Sequence, residues 1–204
     1  IAGFRASEQS ILEVTYEALD TDNDSTTPKE IFPSVSQNNT GYGAEIAYGS
    51  YLSAAYAKLE NNTLDGVRAT WNSIGYLYKT EATKTSPSAS GTAFEAQYGS
   101  SLYAELSHAT NYYSGYNAQY GSVINATSVT ASRDHNNTTP SESVAVAARL
   151  NSIITSTGTS DYPTTSTNFR WGYIVRHNGS LNVNGYTTGS GITDANLFHP
   201  AAVK

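Results

Sequence analysis

The chain has 204 residues, a formal charge of −6 from 11 basic and 17 acidic side chains, and neither Cys nor Met. Its scattered Lys and Arg argue against a nucleic-acid partner, which needs clustered cations to displace counterions, and no apolar run approaches the roughly 18 residues of a membrane-spanning helix. Without Cys there are no disulfides, thiolate metal sites or thiol nucleophiles.

The first predicted element is a helix over Ser7 to Leu19, where Ile11, Leu12, Thr15, Ala18 and Leu19 fall on one side at helical spacing. Thr27-Pro28-Lys29-Glu30 reads as a capping box with Pro at the first helical position, cut short by Pro33, and Ser34 to Gly43 reads as loop. Tyr48, Leu52, Ala55 and Leu59 predict a second helix, and Leu64, Val67, Trp71, Ile74 and Tyr78 a third packed antiparallel to it. A Ser-, Thr- and Pro-rich loop over Lys84 to Gly91 precedes a further helix from Phe94 to Tyr113. Thr139-Pro140-Ser141-Glu142 caps another that Gly158 closes. Phe169 to Arg176 then alternates as a strand, and Asn178-Gly179 predicts a type I′ turn into a hairpin return through Leu181, Val183 and Tyr186.

An internal repeat cuts across these elements. Glu45-x-x-Tyr48-Gly49-Ser50-x-Leu52-x-Ala54 recurs as Glu95-x-x-Tyr98-Gly99-Ser100-x-Leu102-x-Ala104, and Ala118-Gln119-Tyr120-Gly121-Ser122 echoes it again. Glycine inside a helix costs about 0.5–1 kcal/mol relative to Ala, so its reuse predicts close packing beside a Gly-Ser notch. The expected fold is a single α+β domain over residues 1–204. It is mainly helical, with four or five helices and the Tyr-Gly-Ser repeat in about 1–158, and has a C-terminal antiparallel β-hairpin in about 163–188.

Low charge at 14 %, with 51 Ser and Thr and 17 Asn, leaves neutral polar groups to cover the surface. That composition, the lack of oxidisable sulfur and the start at Ile1 in place of Met fit a processed extracellular or cell-surface protein. Seven N-x-[ST] triplets begin at Asn23, Asn38, Asn61, Asn125, Asn136, Asn137 and Asn178, against about four expected by chance, and are candidate N-glycosylation sites. Asp20, Asp22 and Asp24 with Glu30 resemble the start of a calcium loop, because Ca²⁺ gathers several carboxylate oxygens, although Ser25 stands where an EF-hand has its turn glycine. Glu105-x-x-His108 has di-iron helix spacing but no second copy. Nucleophile-elbow and phosphate-loop motifs are missing. The expected function is a non-enzymatic structural subunit of a self-associating extracellular assembly, such as a surface layer, pilus-like filament or matrix. The alternative is a secreted carbohydrate-binding or carbohydrate-degrading domain, with Trp71, Trp171 and several of the 16 Tyr as sugar-stacking surfaces.

Overall fold

A computed structural model of the chain describes residues 2–14, 17–19, 30–133, 143–157, 164–167, 169, 171–182, 186–188 and 197–198. Every regular element among them is a β-strand. The chain winds as a parallel β-helix in which each coil gives one strand to each of three sheets. The first sheet has eight strands, from Phe4–Ala6 to Leu197–Phe198. The second has seven, from Ile11–Val14 to Ser180–Asn182, and the third seven, from Val35–Gln37 to Tyr186–Thr188. One coil runs Thr92–Ala96, Ser101–Glu105, His108–Thr110, and stacks in register on Ser114–Ala118, Val123–Thr127, Thr130–Ser132.

This overturns the mainly helical expectation. The helix predicted over Ser7 to Leu19 is the strands Ile11–Val14 and Glu17–Leu19. The segment around Tyr48 to Leu59 is three strands, one in each sheet, and the helix after Phe94 is the coil just described. Ser34 to Gly43, expected as loop, holds the strand Val35–Gln37. The helix expected after the Pro140 cap is the strands Val144–Arg149 and Ile153–Thr157, the cap itself lying outside the described residues, as do Thr27 to Lys29. The hairpin is also corrected: Trp171–Arg176 pairs with Val144–Arg149 and Ser180–Asn182 with Ile153–Thr157, all in parallel, so Asn178-Gly179 carries the chain from one sheet to another. The only antiparallel pair among the described residues is Glu17–Leu19 with Glu30–Phe32.

The physical reason lies in how short strands reset the phase. Inward side chains alternate within each strand, as Leu52 and Ala54 do, and across the two-residue corner Tyr56-Ala57 the inward positions resume at Ala57 and Leu59. The resulting two-three-two spacing imitates a helical stripe. Inside, Leu12, Leu52, Leu102, Ile124, Ile154 and Leu181 stack in one file of the second sheet, broken only by Gly75. A Cβ on Gly75 would lie 2.6 Å from Leu102 Cδ2 and 2.7 Å from Ile46 Cδ1, so these two side chains fill the gap it leaves. Facing it, the first sheet presents Ala69, Ala96, Ala118 and Ala148 beside the stacked rings of Phe94 and Tyr116, whose centroids are 4.9 Å apart.

The Tyr-Gly-Ser repeat is the corner between the first and second sheets. At Tyr48-Gly49, Tyr98-Gly99 and Tyr120-Gly121 both residues adopt left-handed backbone, with φ between 53° and 75°. Glu8-Gln9, Trp71-Asn72, Leu150-Asn151 and His177-Asn178 adopt the same pair of conformations. Each non-glycine there costs about 1–2 kcal/mol, offset by amide bonds between coils such as Gly49 N–H to Trp71 O (2.8 Å) and Asn72 N–H to Tyr98 O (3.0 Å). The serine that follows completes the corner. The amides of Ser10, Ser50, Ser73, Ser100 and Ser122 donate to the hydroxyl oxygens of Ser50, Ser73, Ser100, Ser122 and Ser152 at 3.1–3.3 Å, across sequence separations of 40, 23, 27, 22 and 30 residues. Coil length therefore varies while the corner stays fixed. Between Ala44 and Ser132 the variation falls in the return from the third sheet to the first, which runs from three residues after Thr110 to eight after Thr83.

Candidate functional site

Exposed apolar side chains are concentrated on one long side of the rod. Ten of the twelve large exposed hydrophobics among the described residues lie on the outer face of the second sheet or on the adjoining corner. At the corner, Trp71, Tyr98 and Tyr120 stack face to face at 4.4 and 4.7 Å with interplanar angles of 8° and 9°. The left-handed corner turns these residues outward, and the spacing of stacked strands, about 4.8 Å, is also that of stacked rings. On the sheet, Tyr76 and Tyr103 stack at 4.5 Å and 5°, with Tyr51 tilted against Tyr76 at 5.5 Å. Next to them Ile11, Ile74 and Ile153 belong to one outward file, and Ile11 is 75 % exposed. Because the rings meet face to face, they present edges and hydroxyl tips to solvent.

The outer face of the first sheet is of a different kind. Arg5, Glu45, Arg68, Glu95, Asn117, Ala147 and Ile174 occupy one file in successive coils. Arg5 Nε lies 3.2 Å from Glu45 and Arg68 Nε 3.8 Å from Glu95. Arg68 also donates to the Tyr42 hydroxyl and to Gln97 Oε1, the latter at 3.0 Å. Glu95 Oε1 accepts from Asn117 Nδ2 (3.1 Å) and Gln119 Nε2 (3.2 Å). Asp65, at the bend before Val67–Thr70, accepts the Thr92 amide at 2.7 Å and is 8 % exposed. Burial, and then the neighbouring Glu95 carboxylate, push its pKa up to about 7. Ala147 and Ile174 continue this file fully buried. Neither Asp65 nor Glu95 stands out in the sequence from any other surface carboxylate, since their pairing depends on a coil offset that only the stacking reveals.

The predicted glycosylation residues fall at several kinds of place. Asn38 and Asn178 are exposed and left-handed, Asn61 is left-handed and half-buried with its Oδ1 accepting the Thr85 amide at 2.8 Å, and Asn125 faces outward on the second sheet. Asn23, Asn136 and Asn137 lie outside the described residues. Asparagine tolerates left-handed backbone better than most residues, so corner geometry accounts for three of these triplets independently of any sugar. Asn61 also borders an open polar hollow of about 340 Å³ with Lys84 and Ser88. Of the calcium candidates, Asp20, Asp22 and Asp24 lie outside the described residues, and Glu30 pairs with Leu19 in the small antiparallel ribbon. Glu105 and His108 end and begin strands of different sheets, and His108 Nδ1 meets the Thr130 hydroxyl.

These features define an all-β, parallel β-helical rod with one low-charge apolar side. No family model, curated protein or solved structure matches the chain. No helix among the described residues is long and apolar enough to cross a membrane.

Proposed function

We propose that this chain is a non-enzymatic structural rod of an extracellular or cell-surface assembly, such as a surface layer, pilus-like filament or matrix, with sugar on exposed asparagines such as Asn38 and Asn178. The observation that carries this reading is that the exposed rings stack on one another along the rod, Trp71 on Tyr98 on Tyr120 and Tyr76 on Tyr103. A sugar ring stacks on an open aromatic face, and in these stacks the inward-turned faces are covered by the next coil. The rings therefore stiffen the rod and leave it an apolar side suited to lateral packing. Calcium held by Asp20, Asp22, Asp24 and Glu30 would brace the first coil of such a rod.

The test is negative-stain electron microscopy of native material with and without a calcium chelator. Regular filaments, sheets or shells are expected, and their loss in chelator ties the acidic segment to assembly. Monodisperse small particles under every condition sink the proposal. A second reading, a carbohydrate-degrading domain, is favoured by one observation: Asp65, its pKa raised to about 7 by burial and then by the neighbouring Glu95 carboxylate, is the kind of perturbed acid that glycoside cleavage uses as a proton donor. Release of reducing ends from polysaccharide by the wild type, lost in Asp65→Asn, would establish it.

A further inference from the structure

We infer that the outer face of the second sheet is the interface with a second copy of this chain, packed sheet against sheet; this rests on the structural reading above and names its contact surface. Three observations carry it. First, the face is regular, because Tyr51–Ala55, Ile74–Tyr78, Ser101–Glu105, Val123–Thr127 and Ile153–Thr157 align residue for residue with no bulge. Rows of side chains at such even spacing can interdigitate with those of a second sheet packed face to face.

Second, the chemistry fits another apolar sheet. The outward positions carry Ile74, Tyr76 and Tyr103, each about 40 % exposed, and the only charged outward side chains among the described residues of these strands are Glu13 and Glu105. The first sheet, by contrast, carries its charges in a continuous file. Third, the size is sufficient. Seven strands about 4.8 Å apart, offering three to five residues each at about 3.3 Å, make a face on the order of 500 Å². Two copies would bury about 1,000 Å², the size at which specific interfaces separate from incidental contacts, and the corner rings add to it. A glycan is the weaker occupant, since the rings offer it edges, and a membrane surface would not need the in-register alignment.

The chain lacks Cys, so a single introduced thiol reports contact cleanly. Ser101→Cys sits on the central strand of the face, at its corner edge, on a partly exposed small residue, and Lys58→Cys on the third sheet serves as control. Mild oxidation should give a disulfide-linked dimer of Ser101→Cys and not of Lys58→Cys. Light scattering of the wild type at about 50 µM should show a dimer or larger species, and Tyr76→Glu with Tyr103→Glu should return it to monomer at unchanged circular dichroism. A monomeric wild type, or equal cross-linking at both thiols, overturns the inference. Microscopy separates this from the broader reading: assemblies that persist in the double Glu variant discard the interface and keep the structural role. Discrete dimers with no larger assembly keep the interface and discard the role.

Discussion

The serine file at the first corner makes a sharp prediction, best tested at Ser100. Its hydroxyl oxygen accepts the Ser73 amide at 3.1 Å, and both serines are fully buried, so no water can replace the bond. Ser100→Ala removes the acceptor and leaves the Ser73 N–H orphaned. The loss should be the desolvation cost of a buried donor, about 1–3 kcal/mol, and not the smaller net value of an average hydrogen bond. Ser122→Ala should cost less, because the Ser100 amide that donates to Ser122 at 3.2 Å keeps a second acceptor in Gln97 O at 3.3 Å. The double variant should depart from the sum of the two losses by about 0.5 kcal/mol or more, since the two serines are bonded to each other in one network. Ser101→Ala, one residue on and facing outward, should change stability by under about 0.5 kcal/mol. Urea unfolding followed by circular dichroism measures all four. If Ser100→Ala costs no more than Ser101→Ala, the file is incidental to stability and the reasoning fails.

Other sites give distinct expectations. Asp65 binds its proton more tightly folded than unfolded, with a pKa near 7 against an ordinary 3.8, so the folded state loses stability as pH rises between about 4 and 7. Asp65→Asn keeps an acceptor for Thr92 without the charge, and should gain up to about 4 kcal/mol over wild type at pH 8 and nothing at pH 4; urea midpoints that keep one difference at both pH values would refute this. Tyr116→Phe removes a hydroxyl donated to Ser107 O at 3.0 Å, but that oxygen also accepts the Thr130 amide, so the cost should be only about 0.5–1.5 kcal/mol by the same unfolding assay. Gly121→Ala and Gly99→Ala both strain a left-handed residue, yet a Cβ at Gly121 meets nothing while one at Gly99 strikes the Asn72 carboxamide. Thermal melts should therefore rank Gly99→Ala as the more damaging. Gly75→Leu should overpack the core against Ile46 and Leu102 and cost more than either.

The repeat was legible in the sequence, while its meaning was not. Tyr48-Gly49-Ser50, Tyr98-Gly99-Ser100 and Tyr120-Gly121-Ser122 mark equivalent corners, and the 50-residue offset is two coils, since Ser73 with its preceding Trp71-Asn72 lies between. Glycine was expected to be a notch in a helix, whereas it is there for its positive φ. Richness in Ser, Thr, Asn and Tyr favours strands and turns over helix, but the spacing from Leu52 to Leu59 fits a period of 3.6 as well as it fits a period of 2 with a corner. The turn signalled by Asn178-Gly179 is real but lies one residue earlier, in the left-handed pair His177-Asn178, and such a pair closes a hairpin or joins two sheets according to where the next strand finds its partner. The apolar face was hidden for a related reason: Ile11, Ile74 and Ile153 are far apart in the chain and meet only when the coils stack.

The uneven return from the third sheet to the first has a practical consequence. Three residues suffice after Thr110 and eight follow Thr83, while the corner keeps its serine hydrogen bonds from Ser10 to Ser152. The rod is thus editable along one edge. A peptide epitope spliced between Ser86 and Pro87 would ride outside the stack, whereas one extra residue between Tyr98 and Ser100 would break the corner and shift the strands that follow it out of register with the coils on either side. Such a scaffold could display cargo at about 4.8 Å intervals, with its pitch set by the strands and its payload by the splice.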